Sequence, residues 1–199
     1  MKLPPPKTSS NFSLEQAVKT RRSSRSYRPD PISLEQLGQL LWAAQGVTED
    51  RGFKRAAPSA GALYPMDVYA VVGEGGTTGL SAGNYHYEPG GHSLKLIAPG
   101  DLRPEVAAAA LSQNWMARAP VNLVITAEYN RVGGKYGQRG VRYAMIEAGH
   151  IGQNIFLQAE SLGLGAGIVG AFHDEELARI MKIPRPHEPL LIMPVGYKK

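Results

Sequence analysis

The chain has 199 residues, 22 Lys and Arg against 17 Asp and Glu for a formal charge of +5, 43% hydrophobic residues and no cysteine. A chain of this length buries roughly two-thirds to three-quarters of its unfolded surface, so it needs no disulfide or metal to staple a core. The absence of cysteine excludes a disulfide scaffold, a thiolate zinc site and a cysteine nucleophile, and no stretch reaches the roughly 18 uninterrupted apolar residues of a membrane span. The opening MKLPPPKTSS carries no apolar h-region, so the expectation is a cytoplasmic protein with no membrane partner.

Residues 1–12, with Leu3-Pro4-Pro5-Pro6, read as a flexible proline-rich tail ahead of a single domain over residues 13–199. Ser13-Leu14-Glu15-Gln16 is a capping box that opens a short helix from Leu14 to about Thr20. A second box, Ser33 with Gln36, leads an apolar stripe of Leu34, Leu37, Leu40, Leu41 and Ala44 that Gly46 ends. A charged, glycine-bearing loop follows. The segment PSAGALYP over 58–65 then has residues too small to pack a helix, which suits a loop that lets something approach its backbone. Residues 68–72 read as a strand, and 84–88 with 93–97 as a hairpin around Pro89-Gly90-Gly91. A helix is expected over 104–112, with Trp42 and Trp115 on helices in the core. The apolar run Val121–Ala127 suits a central strand buried on both faces. Met145, Ala148, Ile151, Ile155, Ala159 and Leu162 recur at helical spacing and predict the longest helix over 142–162, ended by Gly163. Asp174 opens a short helix, and 190–195 closes the chain as a strand.

The charge is unevenly distributed. Residues 19–28 (KTRRSSRSYR) and 131–142 (RVGGKYGQRGVR) each carry several cations and no acid, which suggests a specific anion rather than a generally basic surface. In Arg21-Arg22-Ser23-Ser24-Arg25 guanidinium forks match phosphate oxygens and serines add donors; the competing reading is a solvated basic loop. Gly165-Ala166-Gly167-Ile168-Val169-Gly170 fits G-x-G-x-x-G by letter. A helix ends before it, however, and an apolar strand-like pair lies inside it, so a glycine-rich turn is the better reading than a dinucleotide fingerprint. The five histidines show no metal-ligand spacing, and no metal is expected.

The blocks RRSSRSY, PSAGALYP, QNWMARAPVNLVI, KYGQRGVRYAMIEAGHIGQNIFLQAESLGLGAGIVGAF and PLLIMPVG, in this order and spacing, resemble the nitroreductase family of flavin enzymes. Within it they are most similar to the branch of SagB-type azoline (thiazole/oxazole-forming) dehydrogenases. The resemblance implies an α+β, three-layer α/β/α fold with a mostly antiparallel central sheet flanked by helices. It further implies a homodimer with FMN at the subunit interface. The long helix would form much of that interface through its small stripe of Ala148, Ile151, Ile155 and Ala159.

By the same resemblance, Arg21, Arg22 and Ser23 match phosphate binding, and Arg25 falls beside the pyrimidine edge, where a cation stabilises the charge that reduction creates. Pro58, Ser59 and Ala60 match the loop reaching over from the partner subunit, with Ala62 standing where many relatives carry Asn. Gln113 falls near an amide that holds the pyrimidine edge, and Val169, Gly170 and Ala171 match the turn against N5, where a backbone N–H meets the ring. Lys198-Lys199 stand where relatives continue toward the phosphate.

Lys135-Tyr136 matches a pair associated with catalysis in the azoline branch. A base there would need Lys135 tuned among Arg131, Arg139 and Arg142, and the competing reading is a surface loop with a snorkelling lysine.

The functional expectation is an FMN-dependent oxidoreductase driven by NADH or NADPH, passing hydride to an electron-poor acceptor, nitroaromatic or quinone-like. Two alternatives stand beside it: oxidation of a thiazoline or oxazoline ring on a peptide, and a non-catalytic flavin-binding or sensing protein. Nucleic-acid binding is disfavoured, because Tyr27 and Tyr136 are too few for a stacking platform.

Overall fold

The computed structural model describes residues 1–49 and 52–199. Its first two helices open where serine side chains take over backbone donors. Ser13 Oγ accepts from Gln16 N–H to start α1 (Leu14–Thr20). At α2 (Leu34–Gln45), Ser33 Oγ accepts from Gln36 N–H while Gln36 Oε1 accepts from Ser33 N–H, closing both arms of the box. Asp50 and Arg51, in the charged loop that follows, lie outside the described residues.

Six strands form one sheet: β1 (Met66–Val72), β2 (Gly83–Glu88), β3 (Ser93–Pro99), β4 (Val121–Ala127), β5 (Gly165–Ala166) and β6 (Glu188–Gly196). Their order is β3-β2-β1-β4-β6-β5, every neighbour pair antiparallel. All seven residues of β4 are buried, as its unbroken apolar run predicts.

Side chains alternate across a strand, so β4 feeds two cores. Leu123 and Ile125 point into a cluster with Leu37, Leu40 and Leu41 of α2 and Ile151 and Ile155 of α5 (Arg139–Ser161). Val124 joins Val106 of α3 (Arg103–Ala109) and Leu177 and Met181 of α6 (Asp174–Met181) on the opposite face. The result is the expected three-layer α/β/α arrangement.

The structure departs from the sequence expectations at five places. α3 ends at Ala109 rather than near 112, because Leu111 and Ser112 turn left-handed with φ of 55° and 59°. Trp115 consequently lies in the following turn and not on a helix. Residues expected in a loop form α4 (Asn130–Tyr136), despite Gly133 and Gly134, each of which weighs about 1 kcal/mol against a helix. Packing overrides that propensity: Val132 is buried, and a Cβ on Gly140 would sit 3.0 Å from its side chain, so the glycine lets α4 and α5 touch. α5 therefore starts at Arg139, three residues early.

The fourth departure concerns the small stripe. Ala148, Ile151, Ile155 and Ala159 pack inside the subunit core and are not free to form a dimer face; the exposed apolar residues of α5 are Val141, Met145 and Ile146.

The fifth is the amino-terminal segment, read as a free tail. Leu3, the one large apolar side chain among the prolines, is buried against Gly38, and its N–H donates to His92 O at 2.9 Å. Leu94 N–H donates to Met1 O, and Gln39 exchanges two hydrogen bonds with the Lys7 backbone. Among the described residues no helix is long and apolar enough to cross a membrane.

Leu123→Ala empties part of a core covered on both sides and should cost about 2–5 kcal/mol in urea unfolding. Leu96→Ala, on the half-exposed edge strand β3, should stay within about 0.5 kcal/mol.

Candidate functional site

Three separate segments meet beyond the carboxyl end of α1. Arg21 caps that helix, its N–H donating to Ala17 O, and its guanidinium lies 5.1 Å from the centroid of the Phe156 ring. Arg22 is exposed and donates from Nη1 to Lys19 O and Arg21 O. Ser23 bridges Ala166 of β5 in parallel, and Ser24 N–H donates to Ala166 O at 2.8 Å. Arg25 is exposed and has no ion pair among the described residues.

Tyr27 locks this segment to the sheet with a hydroxyl 2.7 Å from Ser24 O and 2.9 Å from Pro194 O, its one proton shared between the two carbonyls, while its ring stacks near Trp115. Burial pushes the Tyr27 hydroxyl well above its ordinary pKa, with the Arg25 charge opposing, so it serves as a neutral donor.

Gly167 makes this convergence possible. A Cβ there would lie 2.7 Å from Ser24 O and 2.9 Å from the Trp115 ring, closer than any side chain tolerates. No helix opens within 165–170, so the glycine run is the turn that the sequence context predicts. Val169 exchanges two backbone hydrogen bonds with Ile192, which commits its N–H. Gly170 and Ala171 are exposed, their N–H groups make no hydrogen bond among the described residues, and a Cβ on Gly170 would point into open space. Gln113 Nε2 donates to Ala110 O and Ala171 O, which leaves the amide oxygen free. Lys198 is spent elsewhere: its ammonium pairs with Glu160 at 2.9 Å, beside Thr20.

The remaining expected site residues form a second group. Ser59 Oγ accepts from Tyr64 N–H at 2.9 Å to close a tight turn in which Gly61, Ala62 and Tyr64 all have positive φ. Lys135 and Tyr136 end α4 directly against it, since a Cβ on Gly61 would meet Tyr136 Oη at 2.8 Å and Lys135 Nζ at 3.0 Å. A cavity of about 270 Å³ lies beside the turn, lined by Pro58, Ser59, Ala60, Tyr143, Glu147 and His150. No hydrogen bond or ion pair among the described residues links this group to the first.

α4 is tied down by charge. Arg131 Nη1 pairs with Asp67 at 2.7 Å and Nε with Glu128, while His86 bonds Asp67 at 2.9 Å. Burial alone would raise the Asp67 pKa; the His86 hydrogen bond and the Arg131 charge outweigh it and hold the carboxyl below the usual range. Of the three arginines around Lys135, Arg131 is thus neutralised locally, whereas Arg139 and Arg142 are exposed. Sequence reasoning missed Trp115, Gly167 and Glu147 here, because each matters through a neighbour distant in the chain.

His187 lies in the same network, its imidazole held below the ordinary range chiefly by burial. The unfolded chain therefore takes that proton first, so stability falls as pH drops through about 6.5. His187→Gln should narrow the Tm difference between pH 7.5 and 5.5, measured by calorimetry. Gly167→Ala should move Trp115, read as a shifted indole emission maximum with a loss of about 1–3 kcal/mol.

The model for the nitroreductase family matches residues 18–197. The chain is 46% identical over 185 residues to the nitroreductase-family protein MJ1384 of Methanocaldococcus jannaschii, spanning 93% of this chain and 91% of that one. It is 24% identical over 190 residues to the FMN reductase [NAD(P)H] of Bacillus subtilis, spanning 88% of this chain and 62% of the relative. A crystal structure of a nitroreductase-family protein from Ralstonia eutropha superposes with a TM-score of 0.86 at 31% identity, over 100% of this chain and 89% of that one. A chain of the Escherichia coli microcin synthetase McbBCD complex, solved with truncated pro-MccB17, superposes with a TM-score of 0.78 at 26% identity, over 97% and 75%. With a family model that spans nearly the whole chain and a fold that agrees, this protein belongs to the nitroreductase family.

Proposed function

We propose that the protein is an FMN-dependent oxidoreductase that acts as a homodimer, drawing on NADH or NADPH and serving an electron-poor small acceptor such as a nitroaromatic or quinone. The observation that carries this reading is the meeting of Arg21–Arg25, Gln113 and Gly167–Ala171 around free cations and unengaged backbone donors. These residues fit a flavin mononucleotide. Arg21, Arg22 and Ser23 would hold its phosphate, Arg25 and the free Gln113 oxygen its pyrimidine edge, and the turn at Val169, Gly170 and Ala171 its ring. Because the Val169 N–H is committed to Ile192, donation to the ring falls to Gly170 or Ala171.

When bound, FMN supplies a two-electron carrier that takes hydride from the donor and gives it to the acceptor. Arg25 would contribute a positive charge where reduction places negative charge. Gly170, with no side chain, would leave the ring accessible to a flat donor or acceptor. Leu14 and Val18 on α1, 63% and 57% exposed, and Met145 and Ile146 on α5 are exposed apolar side chains that a second subunit would cover. In such a dimer the Pro58–Ala60 turn, which has no hydrogen bond to its own cationic segment among the described residues, would complete the partner's site, and Lys135-Tyr136 would arrive with it.

A second reading, oxidation of an azoline ring on a peptide with Lys135 or Tyr136 as base, draws support from the likeness to the microcin synthetase chain and from the contact of that pair with Gly61.

An absorption spectrum of the purified protein, taken anaerobically before and after NADH and NADPH, tests the choice. Yellow protein whose released chromophore is FMN and which either nucleotide bleaches is the expected outcome. Yellow protein that neither nucleotide bleaches favours the second reading, and colourless protein that cannot be reconstituted with FMN overturns both. Arg25→Ala should slow flavin reduction at least tenfold with FMN affinity nearly kept, whereas Arg22→Ala should weaken FMN binding and spare the reduction rate of the loaded enzyme, read by stopped-flow absorbance and fluorescence titration.

A further inference from the structure

We infer that Glu147 is a positioning residue whose buried carboxyl anchors the turn over residues 58–64 and thereby sets the place of Lys135 and Tyr136. Only the last step, the effect on turnover, rests on the function proposed above.

Glu147 sits on α5 with 2% of its surface exposed, on a face where its helical neighbours Ala144, Ala148 and Ile151 are apolar. A carboxyl is expensive at such a position unless partners hold it. One partner is Gln45, itself buried at the end of α2, whose Nε2 donates to Glu147 Oε1 at 2.9 Å. The Ser59 side chain lines the same cavity as the carboxyl and favours its ionised form. The second carboxyl oxygen, Oε2, is sealed from solvent with no hydrogen-bond partner among the described residues, and the residue lines the cavity beside the turn.

The Ser59 hydroxyl explains why an acceptor is needed. A hydroxyl has one proton and two lone pairs. Its oxygen already accepts from Tyr64 N–H, the bond that closes the turn, so its proton is free to be given. By this inference Glu147 takes that proton across the shared cavity and so orients the hydroxyl with a lone pair toward Tyr64; an apolar residue would leave the hydroxyl free to rotate. Ala62 and Tyr64, neither of them glycine, are held in left-handed conformations with φ of 53° and 47°, a state that persists only when surrounding contacts over-determine it. Arg55, whose guanidinium lies 4.4 Å from the centroid of the Tyr64 ring, clamps the other side. Gly61 then carries any displacement of the turn to Tyr136 Oη and Lys135 Nζ.

The groups facing the carboxyl are Arg55 from the loop after α2, Ser59, Gln45, and Tyr143 and His150 from its own helix. Burial pushes the Glu147 pKa up, and Ser59, Gln45 and Arg55 pull against it.

Hydrogen–deuterium exchange on the full chain, with wild type, E147A, E147Q and S59A at neutral pH, tests the inference. Amides of 59–64 should exchange at least tenfold faster in E147A and S59A, with β4 and α5 keeping wild-type protection. E147Q, which retains an acceptor oxygen for Gln45 and Ser59, should restore most of the protection. In NADH turnover E147A should lower kcat at least fivefold with KM within twofold, and E147Q should recover it.

Wild-type protection of 59–64 in S59A, equal loosening in E147A and E147Q, or loosening spread through α5 would overturn the inference. If E147A does not fold, S59A and E147Q decide. Because exchange is read without flavin, a protein that binds no FMN would sink the proposed function while the exchange pattern still decides whether Glu147 anchors the turn.

Discussion

Every residue of β4 is buried, and the alternation of its side chains decides what each surrounding helix can be. One set of alternate residues requires α2 and α5 above the sheet, the other α3 and α6 below it. A strand that must be apolar on both faces can only be central, so β1 and β6 flank it and the two-residue β5 is left at the edge. The candidate site lies at that edge, where the sheet stops pairing with strands and pairs with Ser23 and Ser24 instead.

That edge is a place of deliberate close approach. Gly167 admits both the Ser24 carbonyl and the Trp115 ring, and the buried Tyr27 hydroxyl fastens the basic segment to β6 through Pro194. The arginines project from a rigid support, which keeps their cost of ordering low when an anion arrives. Among the described residues no acid pairs with Arg22 or Arg25, while Lys198, beside Ser24, is spent on Glu160.

The turn over residues 58–64 follows a different logic. It has two non-glycine residues in the left-handed region, and polar contacts hold it: Tyr64 N–H donates to Ser59 Oγ within the turn, and Arg131 of α4 donates to Tyr64 O. Buried acids recur in that role: Glu147 faces the turn, and Asp67 binds Arg131 and His86 to keep α4 beside it. Both carboxyls lie in environments that would reject an unpaired charge, which makes their partners part of the site's geometry.

The serine cap at Ser13, the capping box at Ser33, the central strand at 121–127, the alternating faces and the acid-free basic segment were all legible in the sequence, because each is set by residues within a few positions of one another; at Ser13 only one arm of the expected box forms. The approach of Ser23 and Ser24 to Ala166 and Gly167 was legible only through family resemblance, since nothing local links them. α4 and the early start of α5 were not legible, because Gly133 and Gly134 argue against a helix and only the packing of Val132 on Gly140 outweighs them. Periodicity identified Ala148, Ile151, Ile155 and Ala159 as one face but could not say whether that face met its own sheet or another subunit. Local residue chemistry determined which elements form. The tertiary structure alone decided which of their faces and buried polar groups meet, because contacts such as Gln45 with Glu147 and Tyr27 with Pro194 join residues 102 and 167 positions apart, and no local pattern records their energies.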